Sequence, residues 1–132
     1  MKKVLLDTNA YTALMRNEPQ VVAVLGKAEE IFVPVIVLGE LFFGFAKGNR
    51  NKENLNLLND FLSLPGVSIL NTSIETAEIF AQILLALRKK GKPIPTNDIW
   101  IAALAVETGA LVISFDTHMS YIDQIRLWDG NK

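Results

Sequence analysis

Short apolar segments alternate along the chain with longer segments in which apolar residues recur at helical spacing. The short segments are continuous apolar runs, which are typical of strands buried on both faces. The predicted strands are Val4–Leu6, Ile31–Val33, Val67–Leu70 and Leu111–Ser114, with Arg126–Trp128 as a short candidate fifth strand. Strands of this kind, separated by helices, predict a parallel sheet that is covered on both sides.

The segments between the strands carry helical periodicity and helix boundary signals. The predicted helices are Asn9–Met15, a segment starting at Pro19, Val35–Ala46, Asn51–Leu64, Ser73–Lys90 and a segment ending near Glu107. The residues expected at helix starts are Thr8 or Asn9, the Thr72-x-x-Glu75 capping box, and Thr96 or Asn97. Together the elements predict one α/β domain over residues 1–132, a three-layer α/β/α sandwich around a central, mainly parallel sheet.

Four acidic residues fall near the edge where an open parallel sheet binds its ligands, beyond the carboxyl ends of the strands. Asp7 directly follows the first predicted strand, and Asp116 closely follows the fourth. Glu40 lies inside a helix that is otherwise apolar at that turn, and Asp98 lies at the start of a largely apolar helix. The topology therefore predicts that these four carboxylates converge.

Converging carboxylates need a positive charge, because they repel one another and raise each other's pKa values. The chain places no Lys or Arg beside any of the four in sequence. A divalent cation would supply that charge, and Mg²⁺ or Mn²⁺ prefers oxygen ligands. Such an ion can lower the pKa of a bound water and stabilise charge on a phosphoryl oxygen. The hypothesis is therefore a metal site acting on a phosphodiester or another phosphate.

Each acid except one also has a structural interpretation. Asp7 could cap the helix that follows it, Asp98 could be an acid that the helix dipole favours, and Asp116 could begin a turn. Glu40 has the weakest structural explanation, since a lone acid among apolar residues needs a partner.

Composition narrows the possible chemistry. The chain has 13 Lys and Arg, 14 Asp and Glu, one His and no Cys. Without cysteine a disulfide scaffold, a zinc-thiolate site and a thiol nucleophile are excluded. The net charge of −1 does not indicate a strongly basic nucleic-acid binder. The N-terminal apolar run is too short for a signal peptide and no stretch is long enough to span a bilayer, so a cytoplasmic protein without a membrane partner is expected.

Four segments of the chain resemble PIN-domain proteins, specifically the ribonuclease toxins of VapBC toxin–antitoxin systems. They are Val4-Leu5-Leu6-Asp7-Thr8-Asn9, Gly39-Glu40-Leu41-x-x-Gly44, Asn97-Asp98-x-x-Ile101-Ala102-Ala103 and Gly109-Ala110-x-x-x-Ser114-x-Asp116-x-His118. No single segment is decisive, but all four occur in order at strand and helix ends. The resemblance covers essentially the whole chain, and Met119, where an aromatic residue often follows the His, is a mild departure from it.

The resemblance implies an α/β/α fold and a Mg²⁺-dependent endoribonuclease, with Mn²⁺ as a possible replacement. It assigns the metal site and catalysis to Asp7, Glu40, Asp98 and Asp116, with Asn9 and Ser114 as supporting residues. It also implies an RNA substrate, a homodimer and a small VapB-type antitoxin that blocks the site. The helices rich in Leu, Ile and Phe agree with such interfaces. His118 is given no catalytic role and is interpreted as a loop histidine that positions nearby groups or is solvated.

Other functions remain open at this point. A phosphatase that forms an aspartyl phosphate would need a second Asp at the position of Asn9. A receiver-like switch would need paired acids near Asp7, and a degenerate domain would serve only protein interaction. Two basic stretches, Lys47–Lys52 and Arg88–Lys92, either neutralise RNA phosphates or are solvated helix-end charges.

Overall fold

A computed structural model describes residues 2–130. Its strands are β1 Lys3–Leu6, β2 Glu30–Pro34, β3 Val67–Leu70, β4 Leu111–Ile113 and β5 Arg126–Leu127. They form one sheet in the order β3-β2-β1-β4-β5, and every neighbouring pair is parallel. The central strand β1 is the most enclosed, since the side chains of Val4, Leu5 and Leu6 are fully buried. The predicted parallel sheet is therefore confirmed, including the short last strand.

Six α-helices flank the sheet and confirm the predicted three-layer arrangement. They are α1 Thr8–Met15, α2 Pro19–Gly26, α3 Val35–Lys47, α4 Asn51–Leu62, α5 Ile74–Lys90 and α6 Thr96–Thr108. A 3-10 helix, Thr117–Tyr121, follows β4 and was not predicted. Within residues 2–130, no helix combines the length and apolar character that a bilayer crossing requires.

Helices α2, α3 and α4 start at the predicted residues, whereas the starts of α1, α5 and α6 differ from the predicted ones. Asp7, not Thr8 or Asn9, is the N-cap of α1, and its side chain accepts the backbone N–H of Ala10 at 2.8 Å. Helix α6 starts after Pro95, and no side chain caps it. Sequence spacing places a cap only approximately, because several adjacent polar residues can accept the same amides.

The capping box at the start of α5 also forms from different residues. Ser73 is the N-cap, and it exchanges hydrogen bonds with Thr76. The predicted pair, Thr72 and Glu75, is wrong by one position. Thr76 is fully buried and its hydroxyl also donates to Glu107 of α6 at 2.5 Å. This contact between α5 and α6 explains why Thr76, rather than a Glu, completes the box.

The sheet order brings distant segments to one edge. Leu6 pairs with Ile113 in the parallel register of β1 and β4, and the N–H of Asp7 continues the ladder to the Ile113 carbonyl at 3.3 Å. Helix α3 begins directly after β2, the other neighbour of β1. The carboxyl ends of three adjacent strands therefore surround one opening.

Candidate active site

A cavity of about 510 Å³ lies at this edge of the sheet. The predicted acids and one predicted supporting residue line it together: Asp7, Glu40, Asp98, Asp116 and Asn9. Among the described residues that line it, none is a Lys or Arg. The structure thus brings together the carboxylates that the sequence placed on four separate elements, and it leaves their charge without a cationic side chain in the lining.

Asp7 is the most buried of the four acids, with a relative exposure of 5%. One carboxylate oxygen accepts the Ala10 N–H, and the other accepts the hydroxyl of Ser114, which in turn accepts the N–H of Asp116 at 3.0 Å. Asp7 therefore caps α1 and also faces the cavity, so the two interpretations of this residue are compatible. A carboxylate has about four acceptor positions, and two remain for a further ligand.

Burial raises the pKa of Asp7 above its usual value, and the carboxylates of Asp116 and Glu40 add to that effect. The hydrogen bonds from Ser114 and Ala10 oppose it, since they stabilise the ionised form. Ser114 is itself buried, so its hydroxyl is fixed where it donates to the Asp7 carboxylate and accepts the N–H of Asp116.

Glu40 is half-buried, and two polar residues hold its carboxylate. The hydroxyl of Thr8 donates to Oε1 at 2.5 Å, and the side-chain amide of Asn97 lies 3.4 Å from Oε2. The sequence analysis considered Thr8 and Asn97 as possible helix caps and gave them no role in holding Glu40. The available signal was their position, because each is adjacent to a predicted site acid.

Asp98 lies in the first turn of α6, and its pKa is raised to about 6. Burial is the largest cause, followed by the carboxylates of Asp116, Glu40 and Asp7, whereas His118 lowers it. Burial and the neighbouring carboxylates therefore both disfavour the ionised form of Asp98.

Asp116 caps the 3-10 helix, and its Oδ1 accepts the backbone N–H of His118 at 2.9 Å. The ring nitrogen Nδ1 of His118 lies 2.9 Å from the same oxygen and 3.9 Å from Oδ2 of Asp98. The His118 ring thus touches two of the acids, which the sequence analysis did not predict. The Asp-x-His spacing was the one available signal.

The donor set of the cavity fits a divalent cation. Carboxylate oxygens are the ligands that Mg²⁺ and Mn²⁺ prefer, and their mutual repulsion falls when a cation lies between them. One oxygen of Asp98, one of Asp116 and a ring nitrogen of His118 lie within 4.8 Å of one another, so a single ion can contact all three residues.

The basic stretches lie outside the cavity lining and have contacts of their own. Lys47 stacks over the ring of Phe43 at 4.7 Å, and Lys92 over that of Tyr121 at 5.0 Å. Lys90 donates to the Tyr121 carbonyl at 3.0 Å and pairs with Asp123 at 2.7 Å. These contacts tie the end of α5 to the segment that follows β4.

Comparison with known proteins gives a consistent family assignment. A family model described as "PIN domain" matches residues 4–125. The protein "Ribonuclease VapC2" of Haemophilus influenzae is 33% identical over 118 residues, which is 86% of either chain. The protein "tRNA(fMet)-specific endonuclease VapC" of Shigella flexneri is 26% identical over 119 residues, 89% of either chain. A chain in the structure described as "Crystal structure of DNA bound VapBC from Salmonella typhimurium" matches with a TM-score of 0.86 and 27% identity, covering 98% of this chain and 99% of that one.

Proposed function

Since the chain belongs to the PIN domain family, we propose that it is a Mg²⁺-dependent endoribonuclease and the toxin of a toxin–antitoxin pair. The observation that carries this proposal is the single cavity lined by four carboxylates and by no Lys or Arg among its described lining residues. The similarity to proteins named VapC ribonucleases supports RNA as the substrate. Mn²⁺ is the alternative cation.

In this proposal the cation is held by Asp7, Glu40, Asp98 and Asp116. When bound, it supplies a Lewis acid that lowers the pKa of a water and stabilises charge on the phosphoryl oxygens. The other residues orient the carboxylates. Ser114 holds Asp7 through its hydroxyl, and Thr8 does the same for Glu40. Asn9 is exposed at the cavity wall, where its amide can donate to a substrate phosphate.

Burial and the other three carboxylates raise the pKa of Asp98, and His118 opposes that shift. Below about pH 6 Asp98 binds a proton, and a protonated carboxyl is a poor cation ligand. A cation must displace that proton, so cation binding by the proposed site is expected to weaken as the pH falls.

We further propose a VapB-type antitoxin partner and a homodimer acting in the cytoplasm. Structures similar to this chain come from VapBC complexes, which supports the partner. Large apolar side chains are exposed on several helices, and they include Phe43 at 64%, Leu85 at 56% and Leu57 at 51%. Exposed apolar surface of this kind is typical of protein interfaces.

Single substitutions test the proposal. Asp7→Asn and Asp98→Asn are expected to abolish cleavage of a single-stranded RNA by the purified protein in Mg²⁺, while circular dichroism shows an intact fold. The matched control is Glu53→Gln, which removes a carboxylate that is 70% exposed on α4, and it should cleave at the wild-type rate. Full activity of both site variants, or full activity of the wild type in excess EDTA, would contradict the proposal.

Calorimetric titration with Mg²⁺ or Mn²⁺ separates this function from a domain that serves only protein interaction. The enzyme should bind the cation, and Asp98→Asn should weaken that binding. An interaction domain should show no binding that depends on the carboxylates.

A phosphatase mechanism through an aspartyl phosphate is less well supported. Both carboxylate oxygens of Asp7 accept hydrogen bonds, from Ala10 and Ser114, and Asn9 stands where such a mechanism needs a second Asp.

A further inference from the structure

His118 places a ring nitrogen beside two of the acids that line the cavity, at a distance suited to metal coordination. Its Nδ1 is 2.9 Å from Oδ1 of Asp116. Adjacent ligand atoms in an octahedral shell with bonds of about 2.1 Å are about 3 Å apart. The Nδ1 and Oδ1 atoms therefore have the spacing of neighbouring ligands on one ion, and Oδ2 of Asp98 is near enough, at 3.9 Å from Nδ1, to join them.

Within residues 2–130, the same nitrogen has no hydrogen-bond partner. Nδ1 of His118 is buried, and it forms no hydrogen bond of acceptable geometry, although Asp116 is close. The side chain as a whole is 45% exposed, so solvent reaches the rest of the ring and not this atom. A buried polar atom without a hydrogen bond is costly, and a cation that binds its lone pair would remove that cost.

A nitrogen ligand changes which cation a site prefers. Carboxylates alone suit Mg²⁺, whereas imidazole suits transition ions, whose affinities for a given site rise from Mn²⁺ to Co²⁺. We infer that His118 is a ligand of the cation in this cavity and that it shifts the preference of the site from Mg²⁺ towards Mn²⁺ and Co²⁺. This inference rests on the proposed function, because it concerns the same cation.

The competing role for His118 is to position Asp116 by donating a hydrogen bond from Nδ1. That role requires a proton on Nδ1, whereas coordination requires a lone pair there. The substitution His118→Asn separates the two roles, because an Asn amide reaches about as far as Nδ1 and can still donate to Asp116 but offers no imidazole nitrogen.

The decisive measurement is pulsed electron paramagnetic resonance of Mn²⁺ bound to tag-free protein labelled with ¹⁵N-histidine. The chain has one histidine, so any ¹⁵N-imidazole coupling comes from His118. We expect that coupling in the wild type and its loss in His118→Asn. In calorimetric titrations, His118→Asn should lower the ratio of Mn²⁺ to Mg²⁺ affinity about tenfold, with a larger fall for Co²⁺.

The outcomes distinguish failure of this inference from failure of the proposed function. If Mn²⁺ binds and Asp98→Asn weakens its binding, but the wild type shows no ¹⁵N coupling, His118 is not a ligand and the proposed function stands. An unchanged affinity ratio in His118→Asn would also overturn the inference. If no cation binds in a carboxylate-dependent manner, both are overturned. The wild-type spectrum decides the question even if a variant fails to fold.

Discussion

The hydrogen bond from Ser114 stabilises the ionised form of the buried Asp7 carboxyl, so its contribution to the stability of the metal-free protein depends on pH. In Ser114→Ala the buried Asp7 carboxylate keeps the N–H of Ala10 and loses its second donor. A hydrogen bond to a charged group contributes about 1.5–3 kcal/mol, and one between neutral groups about 0.5–1.5 kcal/mol. We therefore expect Ser114→Ala to lower the free energy of unfolding by about 2 kcal/mol at pH 7.5, a pH that favours the ionised form of a carboxyl group.

The loss should shrink as the pH falls. The Ser114 hydroxyl lowers the pKa of Asp7, so its removal raises that pKa further above the unfolded value. Once Asp7 is protonated in both wild type and variant, the variant no longer holds an ionised carboxylate that lacks a hydrogen-bond donor. About 1 kcal/mol of the difference in unfolding free energy is then lost. The difference between wild type and variant should therefore be largest at neutral pH and smaller at pH 4.5.

Urea denaturation in EDTA at the two pH values measures this difference directly. Ser63→Ala is the matched control. The exposed hydroxyl of Ser63, the C-cap residue of α4, donates to the Asn59 carbonyl, and its loss should cost under about 0.5 kcal/mol at both pH values. A loss in Ser114→Ala that is equal at both pH values, or below about 0.5 kcal/mol at pH 7.5, would refute the reasoning.

Three further predictions follow from contacts in or near the cavity. Thr8→Val removes the hydroxyl that donates to Glu40, so RNA cleavage should fall about tenfold or more, while the free energy of unfolding changes by about 1 kcal/mol. Unchanged cleavage would show that Glu40 does not need this hydrogen bond. Asp98→Asn should stabilise the metal-free protein by on the order of 1 kcal/mol at pH 7.5 and by much less at pH 4.5. The pKa of about 6 in the folded protein means that an ionised Asp98 destabilises the folded state, and Asn removes that charge. An equal gain at both pH values, measured by urea denaturation, would contradict this prediction. Thr76→Val should lower the free energy of unfolding by about 1 kcal/mol, because the fully buried hydroxyl no longer completes the capping box with Ser73 or donates to the exposed Glu107. Mg²⁺ binding measured by calorimetry should be unchanged.

The sequence by itself determined the layers of this protein and the residues from which a site could be built. Continuous apolar runs such as Val4–Leu6 can be stable only where both faces of a strand are covered, and this predicts a parallel sheet between helices. Glu40 stood out for the same reason, because an acid on an apolar helix needs a partner or a cavity. Both conclusions depend on local pattern, and the structure bears out the sheet and places Glu40 at the cavity.

Only the tertiary structure decided which side chains meet. Ser114 and Asp7 are 107 residues apart in sequence, and they touch because β4 lies beside β1 in the sheet. Thr8 and Glu40 meet because β2 lies on the other side of β1. Strand order depends on how the crossover helices pack, and apolar periodicity does not encode that order.

For His118 too, the sequence identified the residue and the tertiary structure determined its contacts. The sequence showed a polar ring near Asp116 but not its direction, which depends on the 3-10 helix that Asp116 caps. That short helix has no strong periodic signal, since runs of this length satisfy few backbone hydrogen bonds of their own. The acids could therefore be named from the sequence, whereas their donors, their pKa values and the neighbouring imidazole follow from strand order and packing.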